Sequence, residues 1–477
     1  MRASNFIPMR VCNHFISLKL FNSKVNSFRS VTVCVIGSGP AGFYCTQHLL
    51  KLLPTSSIDI YEKLPVPFGL VRFGVAPDHA DVKNVINNFT KIGSDSRVKF
   101  IGNVSLGKDF KLQHLQEAYN IIILCYGADQ DIELKIPGEK LNNVIPARKF
   151  IGWYNGLPHD QDIPINLDVE NVNIFGHGNV AIDVARILLK SVDDLRKTDI
   201  TENSLSRLAE SKVKTVRIIG RRGPLQVAFT IKEFREILKL PNVQTIINPE
   251  LFENTESILP DLPRPRKRLT ELLFTTTRKS QTTAQSDKKL FIEFFRSPTK
   301  FTGINAVNGV ELVINKLKNL HDISPELQQI EATCQKEYVP CELIFRSIGY
   351  KSSKVDQEIP FYSSNYIGKL RVLPGVYSAG WLSTGSTGVI LSTMSNAFKT
   401  AYEICEDIKN GIINDKEDKP GYNYIKKILK KEGKITVDWQ GWKNIDKVEI
   451  ERGKYRNKPR EKIVNVSEML EIGGRAE

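Results

Sequence analysis

The stretch Val31-Thr32-Val33-Cys34-Val35-Ile36-Gly37-Ser38-Gly39-Pro40-Ala41-Gly42 decides the fold. Its first six residues are apolar or β-branched without alternation, the pattern of a strand buried on both faces of a parallel sheet. That strand runs into Gly-x-Gly-x-x-Gly. In such a turn the first glycine permits a tight bend, the second lets the backbone approach a pyrophosphate, and the third lets the next helix pack on the strand. Phe43 to Leu53 reads as that helix, and Ser57 to Tyr61 as a second strand ending at Glu62. Free N–H groups and the dipole at the helix start favour an anion. Glu62 stands twenty positions beyond Gly42, where a carboxylate can accept ribose hydroxyl protons. Strand, turn, helix, strand and terminal acid together read as a dinucleotide site.

A second unit of the same kind begins at Asn171. A strand to Phe175 meets Gly176-His177-Gly178-Asn179-Val180-Ala181, and a helix follows through Leu189. The polar stretch Asp193 to Lys214 reads as a helical excursion before the next strand, Thr215 to Ile219, which ends in Gly220-Arg221-Arg222. A carboxylate there would repel a 2′-phosphate, whereas two guanidiniums bind one through charge-assisted, often bidentate hydrogen bonds. The second site is therefore expected to prefer NADP(H). His177 lies inside the loop, so contact through its backbone is expected rather than catalysis by its ring. Two such sites in one chain imply a flavin and a nicotinamide, because the nicotinamide must deliver a hydride to something.

The rest of the chain bounds this reading. Its 477 residues allow two or three domains of about 150 residues each. Apolar residues make 41% and charged residues 25%, ordinary for a globular protein. No apolar run approaches the roughly 18 residues of a membrane span. Further strands end at Gly127, Gly349 and Gly380, residues 254–290 read as loop-rich, and helical patterning recurs near 421–431. The seven cysteines are scattered with no CxxC pair, which argues against a zinc site, a protein-borne iron–sulfur cluster or a dithiol centre. Lys and Arg outnumber Asp and Glu by 67 to 53, a net charge of +14. Arg2, Arg10, Lys19, Lys24 and Arg29 precede the first acidic residue, Asp59, and Ile7, Val11, Phe15 and Leu18 recur at helical spacing. Residues 1–29 thus read as a mitochondrial transit peptide outside the fold. No nucleophile or acid–base constellation stands out. His79, after Asp78, is a hydrogen-bonded structural histidine or a proton relay, with Asp183 the other relay candidate.

Longer strings give a resemblance. They are Val35 to Tyr44, Tyr61-Glu62-Lys63, Val66 to His79, Val82 to Asn87, Gly152 to Pro158, Gly178 to Arg186, Gly220 to Glu233, Ser347 to Lys351, Gly380-Trp381 and Thr387 to Ile390. The chain resembles the mitochondrial adrenodoxin reductase family, NADPH–ferredoxin reductases of the glutathione-reductase-like flavoproteins. The resemblance implies an α/β fold of two Rossmann-like domains. An NADP-binding domain, 130–345, would be inserted into a discontinuous FAD-binding domain, 30–129 plus 346–477. It implies FAD contacts at Gly37, Gly39, Ala41, Gly42, Glu62, Leu70, Leu106, Trp381, Gly388, Val389 and Ile390. NADP contacts would be His177, Gly178, Asn179, Val180, Arg221, Arg222, Glu233 and Gly388. Three departures accompany it: His177 stands where the family has Gln or Asn, Leu106 replaces a valine, and Ser383-Thr384-Gly385-Ser386 replaces a more basic, proline-containing loop.

The resemblance also reassigns a basic cluster. By charge alone, Arg264, Arg266, Lys267 and Arg268 read as a solvated loop. The resemblance implies instead that Arg235, Arg264 and Arg268 dock the acidic face of a mitochondrial [2Fe–2S] ferredoxin, where opposite charge steers association. No nucleic-acid module accompanies the charge. The expectation is a monomeric enzyme of the mitochondrial matrix, with peripheral association to the inner membrane left open. Rival readings are a glutamate-synthase-type small subunit, which needs an N-terminal cysteine-rich region, a disulfide reductase, which needs paired cysteines, and a flavin-containing binding protein.

Overall fold

The computed structural model describes residues 30–252, 258–280, 286–318 and 328–476; the expected transit peptide, 1–29, lies outside them. The chain opens with β1 (Thr32–Ile36), α1 (Pro40–Leu52), β2 (Ser57–Glu62), β3 (Val98–Gly102) and β4 (Ile121–Leu124). It then builds β5 (Val144–Pro146), β6 (Asn171–Phe175), α2 (Asn179–Leu189), β7 (Thr215–Ile219), α3 (Ile231–Ile237), β8 (Val243–Ile246), α4 (Arg264–Ser280) and β9 (Lys288–Glu293). Three antiparallel strands follow, β10 (Arg296–Gly303), β11 (Val307–Leu317) and β12 (Ile330–Pro340), and then β13 (Leu343–Arg346). The last stretch holds β14 (Arg371–Leu373), β15 (Val376–Ser378), α5 (Ile390–Lys409), α6 (Tyr422–Lys431), β16 (Ile435–Val437), α7 (Trp439–Tyr455) and β17 (Gly474–Ala476).

Two large sheets result. The first runs β14-β15-β4-β1-β2-β3-β16-β17 and the second β5-β13-β6-β7-β9-β8. The first is therefore contributed by both ends of the described chain, and the second lies between them. Around β1 and β6 every pairing is parallel, the geometry that leaves helices on both faces. Val33, Cys34 and Val35 are fully buried accordingly. Both glycine loops leave the carboxyl ends of these central strands, where ligands bind in open α/β sheets. Gln130–Asp131 and Tyr350–Lys351 pair with each other where the chain leaves the first sheet and where it returns.

Buried ion pairs join the two units. Asp78 meets Arg186 at 2.9 Å and Lys190 at 2.8 Å. Asp199 is gripped by Lys83 at 2.7 Å and by Lys462 at 3.1 Å. Beside that pair, the Glu202 N–H donates to Glu461 Oε1 at 2.9 Å.

The excursion at 193–214 folds as helices Val192–Arg196 and Glu202–Ala209, in line with its polar, helical patterning. The loop-rich reading of 254–290 is corrected, because α4 occupies seventeen of those residues. Its Arg, Lys and Thr content hides Leu269, Leu272 and Leu273, spaced i, i+3, i+4, which pack into the core of the second unit.

Candidate functional site

The first loop has the division of labour expected of its glycines. Gly37 adopts φ +106°, and a Cβ there would lie 2.6 Å from the Cys125 carbonyl oxygen. A Cβ on Gly42 would lie 2.1 Å from the Gly37 carbonyl oxygen, whereas one on Gly39 would meet nothing within 4 Å. The outer glycines are thus required by packing and the middle one faces open space. The second loop repeats this: a Cβ on Gly176 (φ +129°) would strike the Ser347 carbonyl oxygen at 2.0 Å, and one on Gly178 would meet nothing within 4 Å. Ala181, in the third position, is fully buried. Each loop is a backbone cradle at a helix start, which fits a pyrophosphate.

Glu62 is buried and already engaged. Its Oε2 accepts from the Ser38 N–H at 3.0 Å and from Ser38 Oγ at 2.7 Å, and its Oε1 accepts from the Leu64 N–H at 3.1 Å. A carboxylate offers about four acceptor positions, so one remains for a ribose hydroxyl while the others brace the glycine loop. Distant segments converge on this loop. The Phe68 N–H donates to the Ser38 carbonyl at 3.0 Å, and the Val104 N–H donates to the Glu62 carbonyl at 2.8 Å, which brings the Leu106 segment alongside. Gly380, just before Trp381, has φ +67°, and a Cβ there would lie 2.7 Å from Ala41 Cβ. Leu70, directly after Gly69, and Val389, beside Gly388 and Ile390, are large apolar side chains left 40% and 49% exposed. They suit the flat apolar ring of a flavin better than they suit water.

In the second unit Arg221 is exposed and Arg222 half-buried at the end of β7. Among the described residues neither side chain has a carboxylate or a hydrogen-bond partner. Burial, then Arg221 and Arg266, make the Arg222 guanidinium harder to protonate than usual. His177 turns its ring inward. Burial pushes its pKa down to about 4, and Nε2 lies 3.4 Å from the Ile218 carbonyl oxygen. The ring stands edge-on to Phe294 at 4.8 Å. A Cβ on Gly220 would lie 2.2 Å from that ring, so only glycine fits above it. The His177 carbonyl accepts from the Ala228 and Phe229 N–H groups, both at 2.8 Å. Asn179 Oδ1 accepts from the Thr230 N–H at 2.7 Å, while Val180 is half-buried at the start of α2.

Glu233 does not sit with the arginines. It joins His79 and Asp183, and ligand atoms of the three lie within 4.8 Å of one another. His79 Nε2 is 2.5 Å from Glu236 Oε2 and 3.6 Å from Glu233 Oε2. Arg186, only 2% exposed in its side chain, stands among them, with Nη2 2.8 Å from Asp183 Oδ1 and Nη1 3.5 Å from Glu233 Oε2. Burial pushes Asp183 up to about 6 and raises Glu233 as well. The sequence reading missed Arg186 and Glu236. Each lies three residues beyond a named acid on the same helix face, and that spacing was the available signal. The cluster borders a cleft of about 750 Å³ between the units. Tyr350 is close enough to Asp183 to feel its charge, and its ring lies 6.0 Å from that of Trp381. The Tyr350 N–H donates to Ser386 Oγ at 3.2 Å, and that hydroxyl donates back to the Tyr350 carbonyl at 2.8 Å. The altered 383–386 loop is thereby tied to the crossing strand. Arg235 on α3 and Arg264 and Arg268 on α4 are all exposed, and none forms an ion pair among the described residues.

Fold and site define an α/β protein with two strand–turn–helix units, each ending its first strand in a glycine-rich backbone cradle. No protein-family model matches the chain. It is 47% identical over 456 residues to the mitochondrial NADPH:adrenodoxin oxidoreductase of Drosophila melanogaster, covering 93% of each chain. To the human protein of the same name it is 44% identical over 478 residues, covering 97% of this chain and 94% of that one. The Arabidopsis thaliana protein of that name is 38% identical, over 93% of this chain and 95% of its own. Among solved structures, Mycobacterium tuberculosis FprA in complex with NADPH superposes with a TM-score of 0.86 at 31% identity, covering 93% of this chain and 100% of that one. The chain belongs to the mitochondrial NADPH:adrenodoxin oxidoreductase family and is an oxidoreductase. Among the described residues no helix is long and apolar enough to cross a membrane.

Proposed function

We propose that this protein moves electrons from NADPH to an acidic [2Fe–2S] ferredoxin, with FAD in the first cradle and NADP(H) in the second. The observation that carries the reading is the contrast between two strand ends. β2 ends in a buried carboxylate with one acceptor position left, and β7 ends in two arginines without a counter-charge among the described residues. The first suits a ribose with both hydroxyls free, and the second suits a ribose carrying a 2′-phosphate.

FAD, when bound, supplies the conversion between a two-electron donor and a one-electron acceptor. The residues that would hold it are Gly37, Gly39, Ala41, Gly42 and Glu62, with Leu70, Leu106, Trp381 and Gly388 to Ile390 around the ring. The chain's own part is to place and to shield. The start of α1 would hold the pyrophosphate, and Leu70 and Val389 would keep water from the ring's edge. Asp183, at about 6, holds a proton for part of the time near neutral pH. His79 and Glu233 stand within 4.8 Å of it, and His79 Nε2 lies 2.5 Å from Glu236 Oε2. Arg235, Arg264 and Arg268 present the positive face for the ferredoxin.

The test is the pair Arg221→Ala with Arg222→Ala. Removing a charge-assisted hydrogen bond to the 2′-phosphate costs about 1.5–3 kcal/mol, roughly ten- to a hundredfold in NADPH affinity per arginine. NADH, which lacks that phosphate, should bind as before. A double variant that keeps the parental NADPH:NADH ratio of kcat/KM refutes the nucleotide assignment.

A further inference from the structure

Arg266 stands between Arg264 and Arg268 in sequence but not in space. Residues four apart share one face of a helix, and a residue two positions from each lies about 200° round the axis. Arg264 and Arg268 are exposed and Arg266 is half-buried, as that geometry requires. Its Nη1 donates to the Val227 carbonyl at 2.8 Å.

Val227 belongs to the segment from Gly220 to Thr230, which carries both arginines of the second cradle. That segment is stitched to the glycine loop on one side. The Ala228 and Phe229 N–H groups reach the His177 carbonyl at 2.8 Å, and the Thr230 N–H reaches Asn179 Oδ1 at 2.7 Å. Near Arg222 it is held by the Phe295 N–H, which donates to the Arg222 carbonyl at 3.1 Å, and by Asn315 Nδ2, which donates to the Arg221 carbonyl at 3.0 Å. Between these two moorings Val227 is held by Arg266, from a helix whose leucines pack into the core of the same unit.

We propose that Arg266 is a positioning residue for the nucleotide's 2′-phosphate: it anchors the Gly220–Thr230 segment and so fixes where Arg222 points. The proposal rests on the NADP reading above. Its charge adds to the same end, because it lies close enough to Arg222 to be felt there. α4 then serves two partners, with one face held against the nucleotide loop and the other bearing Arg264 and Arg268.

The test compares Arg266→Ala with Arg266→Met, which keeps the packing of the aliphatic stem but removes donor and charge. Ferricyanide serves as acceptor so that docking does not enter. Both variants should raise KM for NADPH about five- to twentyfold, the range for a charged hydrogen bond acting through a neighbour. kcat, the kinetics with NADH and the melting temperature should be near parental. An unchanged NADPH:NADH ratio of kcat/KM in both variants overturns the proposal, and so does an equal loss with the two nucleotides. If Arg221→Ala with Arg222→Ala leaves the ratio unchanged, the nucleotide assignment itself has failed. If that pair abolishes the preference and the Arg266 variants keep it, only the role of Arg266 has failed.

Discussion

His177 lies inside the second glycine-rich loop, yet its ring is spent on packing beneath Gly220 and against Phe294. Burial holds its pKa at about 4, below the ordinary value of about 6.5. Between those two values the unfolded chain binds a proton that the folded chain does not. Folding stability should therefore fall as the pH drops from about 6.5 to about 4, by up to about 3 kcal/mol from this ring. His177→Gln, which cannot titrate, should lose less stability over the same interval. Urea unfolding of both proteins at pH 7 and pH 4.5 measures the difference; equal losses would show that the ring is not buried in its neutral form. The loop itself was legible in the sequence because strand, glycines and helix are contiguous. The direction of the ring was not, because it depends on Gly220 and Phe294, far along the chain. Glu62 was legible as a strand-end acid, but its bonds to Ser38 were not, since any loop residue could have supplied them.

At the scale of elements, the two glycine-rich units were readable because each is a local strand–turn–helix pattern. α4 was not, because its arginines, lysines and threonines outnumber the three leucines that bury it. The clamp between the units was also invisible, being made of charges more than a hundred positions apart. Asp199 is its centre. Burial works against its ionisation, but Lys462 and Lys83 outweigh that and hold its carboxyl well below the usual range. The side chains of the two lysines are only 1% and 11% exposed. Asp199→Asn would leave both cations buried without an anion, which costs about 3–5 kcal/mol. Asp199 belongs to the second unit and both lysines to the first, so the loss should fall on the interface. Calorimetry should show a lower melting temperature and a single transition broadening into two. A variant that melts like the parent would mean that this clamp contributes nothing to the coupling of the units.

For the whole molecule, the sequence carries a net charge of +14, but net charge does not say where a partner lands. Folding places Arg235 on α3 and Arg264 and Arg268 on α4, exposed on helices that share one core. Each of the three keeps its charge unpaired among the described residues, as steering of an acidic partner requires. A single exposed ion pair is worth only about 0–1 kcal/mol, so removing one arginine should change little. Reversing two should do more, because like charges then face each other across the interface. Arg264→Glu with Arg268→Glu is expected to raise the apparent KM for ferredoxin severalfold at low salt and to flatten its dependence on salt. NADPH-to-ferricyanide turnover should stay near parental, because that small acceptor needs no docking face. The hydrogen bond from Arg266 to Val227 should survive as well, since it lies on the other side of α4, so the NADPH:NADH preference should not move. Unchanged ferredoxin kinetics at low salt would place the docking face elsewhere. An equal fall with ferricyanide would mean that the substitutions disturbed the nucleotide side of the helix rather than the partner side.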